Sequence, residues 1–316
     1  KFLLACDGAD SFVRNKLKID LIDLKYNKEW LVIDISLQDS YEIEKVVRYI
    51  CDPERPTIFT SLSEHKVRLE FQLLAGENGT EVINKNEHAK FISPFLTDKK
   101  YQIERVYIYR YRGNCAKELR KKNIFLLGDA AHQIPPFAGQ GLSSGLRDAS
   151  NLCWKIAHVI NNQSNDEILN TYQIERTEEI KNSIDSSIAL GKLIDSLSIA
   201  FKFNTPLEEA IPPEAREQAY GKKSLTEQSI SRGLFSSLVK DNNIGKLVPM
   251  TYFSNKADNL SIDDLLDSRF GVISRKDSKD LLNESTLNSY KIINAVFIDI
   301  SKYNFLNSKF EELIDI

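Results

Sequence analysis

The residues best able to do chemistry lie in one stretch, Asn123 to Ala157. An apolar run, Ile124-Phe125-Leu126-Leu127, stops at Gly128-Asp129, followed by Pro135-Pro136 and Gly139-Gln140-Gly141. The run has the length of a strand buried on both faces. Gly128 lets the backbone turn, and Asp129 emerges at the strand's carboxyl end, where open α/β sheets bind ligands. From Leu142 the pattern turns helical, with Leu146, Ala149, Leu152, Ile156 and Val159 on one apolar face. The amino end of such a helix offers free N–H groups and the positive end of its dipole, a place for an electron-rich group. The glycines let that group approach the backbone, and the Asp129 carboxylate suits a sugar-alcohol or ribose hydroxyl. An ordinary strand-turn-helix, with Asp129 as a mere cap, accounts for Gly-Asp alone but not for all three features in order.

A second carboxylate and a cation stand near the start. Phe2 to Ala5 reads as a core strand ended by Asp7-Gly8, and Ser11 as the N-cap of a short helix through Leu17. Arg14 falls on the first turns of that helix, in reach of the preceding loop. Taken alone, Asp7 and Arg14 make an internal turn and an ion pair, weak if exposed.

The elements that must position these residues follow from periodicity. Leu31, Ile33, Ile35 and Leu37 alternate with Val32, Asp34, Ser36 and Gln38, and Val67, Leu69, Phe71 and Leu73 with Lys66, Arg68, Glu70 and Gln72. Val106 and Ile108 alternate with Tyr107 and Tyr109. These are half-buried antiparallel strands, and Asn86 to Leu96 reads as a short helix between them. Residues 25–121 thus form a sheet-rich insertion between two pieces of an α/β domain, 1–24 and 122–200. Ile168 to Leu197 is a long helix with a stripe of Leu169, Tyr172, Glu175, Arg176, Ile180, Ile184, Ile188 and Leu193, read as packing without chemistry. Pro206 and Pro212-Pro213 break it, and a polar segment continues to about Tyr252. Residues 201–316 read as a helical linker and a partial further domain, with one good strand at Ile292 to Ile298.

Composition narrows the function classes. With 316 residues and 42% hydrophobic content there is material for two domains. A net charge of -3 with 28% charged residues gives no nucleic-acid or membrane surface. No apolar run is long enough to span a bilayer, and no signal-peptide pattern opens the chain. Cys6, Cys51, Cys115 and Cys153 are scattered, with no C-x-x-C pair, which reads as reduced thiols in a cytoplasmic protein without a disulfide or zinc framework.

The stretch GDAAHQIPPFAGQGLSSGLRDASNLCWKI resembles the second flavin-binding motif of the FAD-dependent aromatic-ring monooxygenases, the p-hydroxybenzoate and phenol hydroxylase family. Cys6 to Arg14, CDGADSFVR, resembles that family's Asp-Gly motif, which serves both flavin and nicotinamide. Glu29 to Asp34, Cys51 to Pro56 and Tyr101 to Arg105 are most similar to 3-(3-hydroxyphenyl)propionate hydroxylases. The similarity is strong from Lys1 to about Ile194 and thins to about Ser274, where Leu265 to Ile273 resembles the entry to a thioredoxin-like tail. With no C-x-x-C, any thioredoxin likeness is one of architecture.

The resemblance implies a Rossmann-like FAD-binding domain with a mixed, sheet-rich substrate domain, then helices and a truncated thioredoxin-like tail. It places Asp7, Gly8, Arg14, Gly128, Asp129, Pro136, Gly139, Gln140, Gly141 and Leu142 at FAD. It implies NADH or NADPH as transient reductant, O2, and a phenol hydroxylated beside its existing hydroxyl through a flavin hydroperoxide. A small phenolic acid wants an Arg partner and aromatic walls, which makes Tyr109, Tyr111 and Arg68 the substrate candidates, although alternating aromatics also serve packing. Arg110 and His65 lie nearby. Pro135-Pro136-Phe137 makes a stiff apolar edge against water. His132 is expected to hold the loop by a hydrogen bond, and the sequence names no base for the phenol. A homodimer is open.

No G-x-G-x-x-G occurs in the chain, and by resemblance that segment precedes Lys1, so the chain reads as an internal fragment. Two other readings remain: a relative acting on a polyketide or polycyclic phenol, and a flavin-fold piece that binds without turnover. A nicotinamide dehydrogenase gives GDAAH, PP and GQG no role.

Overall fold

Alternating apolar residues produce the two longest strands of the molecule. The computed structural model describes residues 1–39, 46–84, 88–211, 213, 232–234, 245–246, 248–255, 258–267, 269–305 and 310. Leu3–Ala5 (β1) and the short helix Phe12–Lys16 (α1) lead into Leu21–Leu37 (β2). Val47–Ile50 (β3), Thr57–Ser63 (β4) and Lys66–Gln72 (β5) follow, then the helices Gly79–Asn84 (α2) and His88–Ile92 (α3). Tyr101–Ala116 (β6), Arg120–Lys121 (β7), Ile124–Leu126 (β8) and His132–Gln133 (β9) complete the strands that surround the site. One antiparallel sheet has the order β3-β4-β5-β2-β6-β9. A second has the order β1-β8-β7, with β1 parallel to β8.

The large sheet buries Leu31, Ile33, Ile35, Val67, Leu69 and Phe71 on one face, against Ile92 and Leu96. Each side chain so removed from water contributes about 1.5–3 kcal/mol, and a one-residue slip would turn the whole set outward. The other face is not solvent: Trp30 and Val32 on it are as buried as Leu31. The strand there is sandwiched, because an aromatic cluster described below covers it.

Gln140–Ile160 (α4) and Asn170–Phe203 (α5) follow the strands. α5 continues to Phe203, past the expected Leu197, and stops ahead of Pro206; Leu207–Ala210 (α6) comes next. Tyr172, Ile180, Ile184, Ile188 and Ile194 form its buried stripe, so Ile194 takes the place expected of Leu193. The Tyr172 hydroxyl donates to the Leu126 carbonyl at 2.7 Å, tying α5 to β8. Two expectations fail. Leu3 and Leu4 are 46% and 41% exposed, because β1 is the edge of its small sheet with a neighbour on one side only. The helix expected over Asn86 to Leu96 is shorter: α3 runs from His88 to Ile92, α2 ahead of it was not foreseen, and Asn86 itself lies outside the described residues.

The chain divides into two compact units, Lys1–Asn151 with Tyr172–Thr226, and Leu152–Thr171 with Glu227–Ile316. The second holds Tyr252–Asn255 (β10), Asp258–Ser261 (β11), Ile262–Leu266 (α7) and Gly271–Ser274 (β12). Ser278–Leu281 (α8), Glu284–Ile292 (α9), Val296–Asp299 (β13) and Asn304–Phe305 (β14) complete it. β12 and β13 pair in parallel, and Phe253, Ile262, Ile298, Ile300 and Phe310 make the core. The strand expected at Ile292 starts at Val296 instead; Ile292 closes α9, 67% exposed, and Asn294 turns the chain with φ 54°. Pro212, Ser268 and most of the polar stretch before Tyr252 lie outside the described residues. No helix among the described residues is long and apolar enough to cross a membrane.

Candidate functional site

The strand-turn-helix expected at Asn123 to Ala157 forms. β8 gives way to one tight helical turn at Gly128–Ala130, β9 follows, and a second tight turn at Pro136–Ala138 delivers the chain to α4. Gly139 closes that second turn with φ 62°, a left-handed conformation that side chains resist. β9 is stitched to the end of β6: His132 pairs with Cys115, Gln133 with Asn114, and Ala116 N donates to the Ala131 carbonyl at 2.7 Å.

Arg14 clamps the two motifs together. Its guanidinium donates to the Ala9 carbonyl at 2.7 Å and to the Ala130 carbonyl at 2.8 Å, and the residue is 4% exposed. Ser11 caps α1 as expected, accepting from Arg14 N at 3.0 Å. Asp7 accepts from the Ser11 hydroxyl at 2.6 Å and from Val13 N at 3.0 Å. The Ser11 bond above all holds Asp7 below the usual carboxylate range.

Behind the loop lies a buried polar network. Asp148 accepts from Gly128 N at 2.8 Å and from Arg176 Nε at 2.7 Å, and meets His132 Nε2 at 2.8 Å. Arg176 also donates to the Ser144 hydroxyl at 3.1 Å and pairs with Glu179. Burial opposes the charge on Asp148, but the bond and charge of His132, with those of Arg176, outweigh it and hold the carboxyl low. His132 therefore holds the loop, as expected. Asp148 and Arg176 were missed. Their signal was polar residues at helical spacing where a core face belongs: Ser144 and Asp148 four apart, Arg176 and Glu179 three apart. The same network overturns the apolar stripe of α4. Because Ser144, Asp148 and Leu152 face inward, Leu142 and Leu146 face out, 79% and 62% exposed.

A cleft of about 660 Å³ opens beside this loop. The loop and the start of α4 contribute Asp129, Pro136, Gly139, Gly141 and Leu142; β6 contributes Ile108 to Arg112; Ala9, Asp10, Gln133 and Ile134 complete the lining. Seven expected residues thus meet in one cleft: Asp129, Pro136, Gly139, Gly141, Leu142, Tyr109 and Tyr111. Asp7, Gly8, Arg14, Gly128 and Gln140 are outside the lining, and Arg14 and Gly128 bind the loop itself. Arg68 is also outside it, held to Asp34 by two bonds of 2.6 and 3.2 Å. Arg112 was not foreseen: it lines the cleft, and its guanidinium has no partner among the described residues.

Phe137 does not form an open edge. It is buried in an aromatic cluster on the sheet, edge-on to Tyr26, Trp30 and Tyr111 with centroids 5.9, 6.0 and 5.5 Å away. Trp30 stacks on Tyr111 at 5.2 Å, and the Tyr49 hydroxyl donates to the Phe137 carbonyl. α5 comes close here because residue 191 is glycine; a Cβ there would sit 2.6 Å from both the Phe137 ring and the Tyr26 hydroxyl. Phe137 anchors the loop, while Pro136 faces the cleft.

The donor set suits a flat, electron-rich group with a polyhydroxy arm. Backbone at Gly139 and Gly141 has open space where a Cβ would stand, the amino end of α4 is at the cleft, and Asp129 and Arg112 supply one charge of each sign.

Comparisons with known proteins give the family and the fold. The profile of the family described as FAD binding domain matches residues 1–187. The 3-(3-hydroxy-phenyl)propionate/3-hydroxycinnamic acid hydroxylase of Klebsiella pneumoniae is 34% identical over 194 residues, 61% of this chain and 35% of that protein. A probable NADH-specific resorcinol 4-hydroxylase of Rhodococcus jostii is 33% identical over 193 residues, 61% of this chain and 36% of that protein. The chain thus spans about a third of the length of these curated relatives. Among solved structures, aklavinone-11 hydroxylase with FAD and aklavinone superposes on 100% of this chain and 60% of its own, with TM-score 0.75 and 18% identity. Anhydrotetracycline hydroxylase from Streptomyces rimosus covers 94% of this chain and 59% of its own, with TM-score 0.70 and 19% identity.

Proposed function

Since this chain belongs to the FAD binding domain family, we propose that it is the core of an NAD(P)H-dependent flavoprotein hydroxylase acting on a small phenolic acid. One observation carries the reading: Asp129 and the amino end of α4 line the same cleft as Tyr109, Tyr111 and Arg112 of β6. A cofactor held by the first set would present its ring to a substrate held by the second. The higher sequence similarity to a hydroxyphenylpropionate hydroxylase than to the solved polycyclic-phenol enzymes favours the small acid.

Bound FAD, reduced by NADH or NADPH, would supply the activated oxygen. The chain's own residues do the rest. The Asp129 carboxylate accepts a hydroxyl of the polyhydroxy arm. N–H groups at the start of α4 stabilise negative charge at the edge of the ring system. Pro136, Ile108 and Ile134 are apolar and keep water from that edge. Arg112 takes the carboxylate of the substrate, and the half-exposed Tyr109 flanks its ring, while Tyr111, 2% exposed, backs that wall from within the aromatic cluster. In this reading residues 1–24 and 122–200 hold the cofactor and 25–121 the substrate.

The test is the absorbance spectrum of the complete gene product, then oxygen uptake with NADH or NADPH across phenolic acids and polycyclic phenols. Flavin bands with uptake stimulated by phenolic acids are the expected result. Stimulation by polycyclic phenols alone would change the substrate class, and a protein that neither carries nor takes up flavin would end the reading.

A further inference from the structure

The two turns beside the cleft end on one chain of charged groups. The first, Gly128–Ala130, carries Asp129, and its Gly128 N donates to Asp148 at 2.8 Å. Arg176 holds Asp148, Arg176 pairs with Glu179, and Glu179 pairs with Arg147 on α4. Arg147 donates to the Gln140 side-chain oxygen at 3.1 Å, and the Gln140 side-chain amide donates to the Ala138 carbonyl at 3.1 Å. Gln140 and Arg147 lie seven residues apart, two turns of helix, and so share a face. A chain that starts at one turn thus closes on the other, Pro136–Ala138 with Gly139.

The second turn needs such a hold. Gly139 takes a left-handed φ of 62° with open space where a Cβ would stand, and glycine leaves that conformation at little cost. One backbone bond closes the turn, from Gly139 N to the Pro136 carbonyl at 2.9 Å. The Gln140 side chain adds a second at Ala138. Helix electrostatics alone would not put Arg147 here, because a cation toward the amino end opposes the dipole. Glu179, with a side chain only 5% exposed, offsets that cost by pairing with it.

We propose that Arg147 is a positioning residue for the bound cofactor, a role that rests on the flavoprotein reading above. Arg147 is not in the cleft lining and acts through its neighbour. It fixes the Gln140 side chain, Gln140 fixes the turn at Gly139, and the N–H groups at the start of α4 stay aimed at the edge of the ring system. Preorganised N–H groups act on charge. The effect therefore falls on the reduced, negatively charged ring more than on the oxidised, neutral one.

The experiment uses the complete gene product with Arg147→Met, Arg147→Lys and Gln140→Leu. Melting temperature checks folding, and Glu179 keeps Arg176 as its partner in every variant. Dissociation constants are measured for oxidised FAD and, without oxygen, for reduced FAD. In Arg147→Met the reduced form should lose at least tenfold more affinity than the oxidised form, which lowers the two-electron potential by about 30 mV. Gln140→Leu should reproduce that shift, and combining the two should add little to it. Lysine lacks the fork that reaches Gln140 and Glu179 together, so Arg147→Lys should not restore the wild-type potential. In protein stripped of flavin, the Gly139 and Gln140 amides should exchange hydrogen faster in Arg147→Met than in wild type. A wild-type potential in flavin-loaded Arg147→Met or Gln140→Leu, or full rescue by lysine, would overturn the role of Arg147 while leaving the flavoprotein reading intact. A wild-type protein that takes up no flavin would strike that reading itself, and this proposal with it.

Discussion

Arg176 is not among the residues that line the cleft, yet the loop depends on it. Arg176→Met should cost about 3–5 kcal/mol in urea unfolding, because Asp148 would stay buried with only His132 and Gly128 N, and Glu179 with only Arg147. Asp129 is the converse case: exposed, with no side-chain partner among the described residues. Asp129→Ala should shift stability by less than about 0.5 kcal/mol while sharply lowering FAD retention, read as flavin per protein after gel filtration; normal retention would remove Asp129 from the site. Glu70 gives stability a pH signature. Its folded value of about 7 lies above the ordinary 4.5, so the folded state holds the proton more tightly and stability falls as pH rises between them. Glu70→Gln should flatten that slope in unfolding measured at both ends of the window. Asp129, Gly139 and Gly141 were legible because their motif is continuous in the chain. Asp148 and Arg176 were not, since 28 positions separate them and only packing brings them to 2.7 Å.

Among the elements, α5 owes its placement to one missing methyl group. Gly191→Ala would force a Cβ to within 2.6 Å of the Phe137 ring and the Tyr26 hydroxyl, so about 1–3 kcal/mol of stability should be lost. Because Phe137 sits in the loop proposed to hold the cofactor, FAD affinity should fall with it; titration calorimetry showing full affinity in the destabilised variant would uncouple helix from loop. The strands β5 and β6 were readable from period-two alternation, which needs only one buried face. β2 was half-readable: alternation predicted Leu31, Ile33 and Ile35 inside, but not the burial of Trp30, because the cluster it joins comes from distant Tyr49, Tyr111 and Phe137. α4 was placed correctly and rotated wrongly, since its inner face is polar where it meets Arg176.

For the whole molecule, two compact units imply more than one cooperative transition. Calorimetry should show two, and FAD at 100 times its Kd should raise only the one belonging to the unit that contains Asp129, by about 2.7 kcal/mol. A single transition would make the units one folding body. The first unit was legible through its motifs; in the second, short elements with weak periodicity hid a parallel strand pair. The two-residue strand β9 has a consequence for all of this. It fastens the loop bearing Asp129 to the strand bearing the tyrosines through Asn114–Gln133, Cys115–His132 and Ala116–Ala131. Those two sides cannot part like jaws without tearing that seam, so the slot has a fixed gape. Guests of different bulk must then be fitted by exchanging side chains along β6, and a lineage changing its diet would leave its record there before anywhere else.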